Sequence, residues 1–420
     1  MFEKNFRTSV VAVILASLFS VSVVSQAAAD GITWTSRSSA ADTGWRGLAY
    51  GNGLFVAVDF NSGNQVMTSP DGITWTSRVA ATYGDWWSIT FGNGLFVVVG
   101  GNGGSRVMTS PDGITWTSQT APPNSYRGVT YGNGIYVAVG DGGISNNKVM
   151  TSPDGISWTA LTPPNTNNWR AVTYGNGLYV AVSDTGTGNR VMTSPDGTTW
   201  TARTSAADNS WQSVAYGNGL FVAVSTTGTG NRVMTSPDGI NWTARTPAVD
   251  NNWRSVTYGN GLFLAVATSG TGNRVMTSPD GTTWTARSSA ADNGWTAVAY
   301  SDGLFVAVSG SGTGNRVMTS GEIGLAARTT AAANAEAARV AEAARVAEAA
   351  RVAAAAEAAR KANEQKELME ILAIIPKIGG LSLSLGEVTQ SLYSTKCVKG
   401  KATKFVKKGA KCPKGYVKKK

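Results

Sequence analysis

The chain has 420 residues, with 50 glycines, 14 tryptophans and no histidine. Without histidine the commonest general base and the commonest metal ligand are missing, which excludes histidine-dependent catalysis and histidine metal sites. The formal net charge is +10, yet Lys396 to Lys420 holds 11 lysines and no acid, so the remainder is close to neutral and the basicity belongs to the tail.

Residues 1–29 have the build of a signal peptide. Lys4 and Arg7 precede an apolar run, Val10 to Val24, and Ala27-Ala28-Ala29 supplies small residues for cleavage. The run is shorter than the ~20 residues a spanning helix needs. Export with cleavage is expected, leaving a protein that is secreted or held at the cell envelope with no transmembrane span.

From residue 30 to 320 the sequence repeats. The phrase Ser69-Pro70-Asp71-Gly72-Ile73-Thr74-Trp75 returns with its Asp at Asp112, Asp154, Asp196, Asp238 and Asp280, and a partial copy stands at Asp30-Gly31-Ile32-Thr33-Trp34. The steps between successive Asp residues are 41 or 42 residues, a period typical of folds that repeat one small sheet. Within a unit, short β-branched and aromatic runs alternate with Gly, Asn, Asp and Pro, which marks four strands. The Gly92-Asn93-Gly94 element suits a hairpin, because Gly and Asn tolerate positive φ. Runs such as Leu54 to Val58 are almost wholly apolar and read as strands buried on both faces.

Seven such units predict an all-β, seven-bladed β-propeller. The ends complement each other. The front supplies one strand, Ile32 to Arg37. The seventh unit supplies three, and then its phrase breaks at Gly321-Glu322-Ile323. The N-terminal strand is therefore expected in the last blade, closing the ring.

After a linker at 321–328 comes an Ala-rich stretch, 329–375, with Ala-Glu-Ala-Ala-Arg-Val copies and the i,i+3 pairs Glu336/Arg339, Glu342/Arg345 and Glu348/Arg351. It reads as a solvated α-helical spacer. Its six-residue period does not match a heptad. Leu368, Ile371, Leu372 and Ile375 form an apolar stripe that ends at Pro376. Residues 376–395 are a linker or docking segment, and 396–420 a small basic tail. Cys397 and Cys412, the only cysteines, are placed to form a disulfide.

The recurring Ser-x-Asp, Gly and Thr-Trp resemble the Asp-box, or BNR repeat, of bacterial and fungal propellers, a family of sialidases, other glycosidases and non-catalytic lectin-like proteins. Here Asp and Gly are adjacent, where the family usually has one more residue between them. The resemblance implies a structural role for Asp71, Asp112, Asp154, Asp196, Asp238 and Asp280, bonding the turn between the third and fourth strands, and for the Trp of each phrase, packing into its blade. The tail, from Cys397 through Tyr416, resembles Lys-rich C-terminal segments of assorted secreted bacterial proteins.

Candidate ligand residues open each innermost strand: Trp45, Trp86, Tyr126, Trp169, Trp211, Trp253 and Trp295, with Arg46, Arg127, Arg170 and Arg254 following four of them. Two uses fit the rings: a rim on which sugars stack, or packing between blades. Arg190, Arg232, Arg274 and Arg316 follow glycine-rich loops, either meeting anionic ligands or paired locally. The units are near copies and no blade holds a private acid/base pair, so no catalytic residue, cofactor or metal is expected.

The function expected is non-catalytic, multivalent binding of a glycan or other cell-surface polymer. The lysine tail would hold an anionic cell-envelope component, and export argues against nucleic acid. The alternatives are a sialidase-type glycoside hydrolase and a protein-interaction scaffold.

Overall fold

The computed structural model describes residues 31–61, 65–103, 105–142, 146–301, 303–321, 351, 354–355, 357–367, 394–399, 402–407 and 411–418. The chain divides into two compact units, 1–342 and 343–420. The signal-peptide residues, most of the Ala-rich stretch and the Leu368 to Ile375 stripe lie outside the described residues.

The first unit holds seven four-stranded antiparallel sheets. In blade 1 the order runs outward through Trp45–Gly51, Leu54–Asp59, Gln65–Ser69 and Thr76–Val79. The innermost strands of blades 2 to 7 are Gly84–Gly92, Tyr126–Gly132, Trp169–Gly175, Trp211–Gly217, Trp253–Gly259 and Trp295–Ser301. Each touches the next, and the seventh touches the first, so the ring is closed. Blade 7 takes Trp34–Arg37 as its outer strand, paired with Val317–Ser320. The propeller expected from the repeat is the observed fold.

The core lies between blades rather than within them. Each apolar cluster joins the second and third strands of one blade to the innermost strand of the next; Val180, Val182 and Val191 of blade 4 meet Trp211, Val214 and Phe221 of blade 5. The second strands are buried along both faces, which accounts for their unbroken apolar sequence.

Two local devices fix the blade. At the inner hairpin Asn218 and Gly219 have φ of 48° and 75°, the double positive φ of a tight two-residue turn. At the outer hairpin Asp238 Oδ1 accepts from the N–H of Ile240 and Asn241, each at 2.8 Å, and from Ser236 Oγ at 2.8 Å. Trp242 Nε1 donates to Gly239 O at 3.0 Å. Asp71, Asp112, Asp154, Asp196 and Asp280 make the same bonds. Donated N–H bonds hold the carboxyls of Asp196, Asp238 and Asp280 well below the usual range.

The glycine that ends six of the seven innermost strands rests under an aromatic ring of the next blade. A methyl group on Gly217 would sit 2.0 Å from Cγ of Tyr258, and one on Gly175 would sit 2.2 Å from Cγ of Tyr216. The ring of one blade thus rests on the bare backbone of its neighbour. Gly217→Ala should destabilise the propeller by about 1–3 kcal/mol through overpacking. In a double-mutant cycle with Tyr258→Ala the two costs should fail to add. Urea denaturation reads both, and an unchanged midpoint for the single variant would show that the blades do not meet there.

The second unit contains a helix over residues 357–367 and a three-stranded sheet. Arg360 pairs with Glu357 at 3.0 Å and with Glu364 at 2.9 Å. These exposed pairs continue the charge pattern of the spacer, and each is worth little. Cys397 and Cys412 are bonded, as the sequence anticipated.

Candidate functional site

The rim of aromatic rings is not exposed. Trp45, Trp86, Tyr126, Trp169, Trp211, Trp253 and Trp295 are all 0% accessible. They lie against the preceding blade, and the indole N–H of Trp45, Trp211, Trp253 and Trp295 donates to the carbonyl four residues earlier. A ring covered on both faces offers nothing to a sugar, so the stacking expectation is corrected: packing between blades is how these rings are used.

The residue after each aromatic goes elsewhere. In six blades the pairing between the innermost and second strands slips at this point, as at Trp45/Gly47 and Trp211/Ser213. In blade 2 there are two slips, the second at Trp86/Ser88. A β-bulge leaves its extra residue out of the ladder and re-aims the side chain. Here it aims at the axis. Arg46, Trp87, Arg127, Arg170, Gln212, Arg254 and Thr296 line the mouth of an axial cavity of about 190 Å³, which every innermost strand helps to form. Below this ring the lining turns apolar at Leu48, Ile89, Val129, Val172, Val214 and Val298.

The ring is electrostatically lopsided. In blades 3 and 4 the arginines are paired: Arg127 Nε with Asp141 at 2.6 Å, Arg170 with Asp184 at 2.5 Å and with Asp141 at 3.3 Å. Position 60 in blade 1 corresponds to these acids, fourteen residues after its arginine, and is Phe60. The Arg46 guanidinium lies 5.6 Å from the Phe60 ring centre and 4.6 Å from that of Trp87. Arg127 lies 3.6 Å from the same Trp87 ring centre, so two cations approach that indole. In blade 6 Arg254 donates to the Gln212 amide oxygen. Among the described residues neither Arg46 nor Arg254 has a carboxylate within ion-pair distance. Burial alone pulls Arg254 down to about 10. Burial also lowers Arg127, with Asp141 opposing the shift.

Blades 6, 7 and 1 are consecutive, and the residue between the two arginines is short. Thr296 Oγ1 is turned into the wall, donating to Trp45 O at 2.6 Å. This sector therefore presents two guanidinium groups flanking a small side chain. Desolvated guanidinium without a carboxylate is costly, and an entering anion relieves the cost through charge-assisted bonds.

The second arginine set is occupied. Arg232 Nε donates to Gly228 O at 2.7 Å and lies 3.7 Å from Asp250. Arg190, Arg274 and Arg316 repeat this with Asp208, Asp292 and Asp42. They tie loops together across blade boundaries. Reading the sequence for arginine found four of the seven channel positions and missed Trp87, Gln212 and Thr296. Their signal was position in the repeat, not residue type. Among the described residues no cluster of carboxylates and cysteines is arranged to hold a metal.

A family model described as the DUF6242 beta propeller domain matches residues 159–294, which include the whole of blades 4 to 6. No curated protein matches the sequence. Among solved structures, a streptogramin B lyase is similar at 10% identity and a TM-score of 0.59, covering 69% of this chain and 97% of its own. YCF48 bound to D1 peptide is similar at 17% identity and a TM-score of 0.52, with 69% and 97% covered. YCF48 from Cyanidioschyzon merolae gives 13%, 0.51, 69% and 98%. At these identities the likeness is one of fold.

Proposed function

We propose that the chain is a non-catalytic binding propeller that receives a carboxylate-bearing ligand, an acidic glycan in the first instance, at the mouth of its axial cavity. The observation that carries this reading is the pair Arg46 and Arg254, which flank Thr296 and have no carboxylate partner among the described residues. The cavity is smaller than the roughly 300–1,000 Å³ of a drug-sized site, so it suits one acidic head group rather than a whole oligosaccharide. The carboxylates that pair with the ring, Asp141 and Asp184, are taken up by Arg127 and Arg170, which favours binding over glycoside hydrolysis. Kinship with Asp-box propellers is supported by the six repeated Asp turns. Export to a secreted or envelope location is supported by the signal-like residues 1–29 and by the disulfide.

Titration with glucuronate and with acidic oligosaccharides, followed by calorimetry, checks the site. Arg46→Ala and Arg254→Ala should each weaken binding by about tenfold or more, the range of a charge-assisted hydrogen bond. Neutral glucose should not compete. Equal binding of the neutral sugar, or unchanged affinity in both variants, would remove the reading. Turnover of fluorogenic glycosides would replace it with an enzyme.

A further inference from the structure

The second unit carries a basic face built on a small sheet. Its sheet is ordered Ala402–Lys407, Ser394–Lys399, Val417–Lys418, with Ser394–Lys399 central. Cys397 stands directly opposite Lys404 on one side and Lys418 on the other. Residues directly opposed across antiparallel strands share a face, and so does the residue two further along. Lys404, Cys397, Lys418 and Lys399 therefore belong to one face. Cys397 is fully buried, while the three lysines are exposed.

The disulfide explains how so small a sheet holds this arrangement. It brings the Cα atoms of Cys397 and Cys412 to 5.6 Å and so fastens the 411–416 loop to the central strand. Tyr416 returns on that loop to place its ring 5.6 Å from the Lys404 ammonium. Lys411 and Lys414 on the loop are also exposed. From Ser394 to Lys420 there is no acidic residue, so the tail itself contains nothing to neutralise the face. A sheet this small has little core of its own, and a covalent staple substitutes for one.

We propose that this disulfide-clamped face is an attachment surface for an anionic phospholipid bilayer. Lysine ammonium groups are compact point charges that meet phosphate without a fixed fork geometry. Three on one face, reinforced by Lys411 and Lys414, suit a plane of headgroups. The surface is independent of the arginine pair in the axial cavity, and the two proposals fail separately.

The full chain should sediment with vesicles of phosphatidylglycerol mixed with phosphatidylcholine, and not with phosphatidylcholine alone. Raised salt should release it. Replacing Lys399, Lys404 and Lys418 by Gln should weaken binding on the order of 100-fold, from about fivefold per lysine. Cys397→Ser with Cys412→Ser should weaken it as well, because the lysines lose their common face. Lys361→Gln with Lys366→Gln, in the helix, should leave it unchanged, which separates this face from net charge. Equal binding to neutral vesicles, full retention in the triple variant, or capture by soluble polyphosphate without vesicle binding would overturn the proposal.

Discussion

Removing residues 31–37 should open the propeller. Trp34 is 8% accessible and packs among Leu264, Val266 and Val275 of blade 6 and Trp295, Phe305 and Met318 of blade 7. Losing a buried tryptophan costs about 3–5 kcal/mol. The deletion also removes the pairings of Trp34 with Ser320, Thr35 with Thr319, Ser36 with Met318 and Arg37 with Val317, together with the bond from Arg37 Nε to Thr319 Oγ1 at 3.0 Å. The total approaches the ~5–15 kcal/mol that holds a typical domain folded. Val317–Ser320 would become an unpaired edge, open to a second chain. The expected result is a much lower urea midpoint, with dimers or aggregates on gel filtration. A synthetic peptide of residues 31–38 added in trans should restore the monomer. If the shortened chain keeps its midpoint and stays monomeric, the front strand is decoration and the ring is held elsewhere.

The same closure shows what a sequence carries plainly. Strand number and ring closure were legible because turn residues and apolar runs recur at a fixed period, and because the missing outer strand at one end matches the spare strand at the other. The turn role of Asp238 and its counterparts was legible for a similar reason: Asp before Gly, with N–H groups following, is local chemistry. The site was less legible. Trp45 and Arg46 are neighbours in sequence, but a strand sends neighbours to opposite faces, and the bulge after Trp45 decides which face meets the axis. Bulges leave no reliable mark in one sequence. Phe60 also broke a rule that only the fold exposes, since it takes the place of the acids that pair the arginines of blades 3 and 4. A pattern of residue types could find the arginines, but not which of them are left without a carboxylate among the described residues.

Trp211→Ala should therefore cost stability rather than ligand affinity. The ring has no accessible surface. It fills the space between Val180, Val182 and Val191 of blade 4 and Phe221, Ala223 and Met234 of blade 5, and its N–H is bonded to Ala207 O at 3.0 Å. Truncation leaves a cavity and removes that bond, for about 3–5 kcal/mol in total. Trp211→Phe keeps most of the volume and should cost less. The folded fraction of either variant should bind glucuronate as the parent does, because Gln212, one residue on, projects to the axis through the bulge. Thermal or urea unfolding followed alongside calorimetry separates the two uses of the ring. A Trp211→Ala protein that unfolds with the parent but no longer binds acidic sugar would restore the aromatic rim and displace the arginine pair as the centre of recognition.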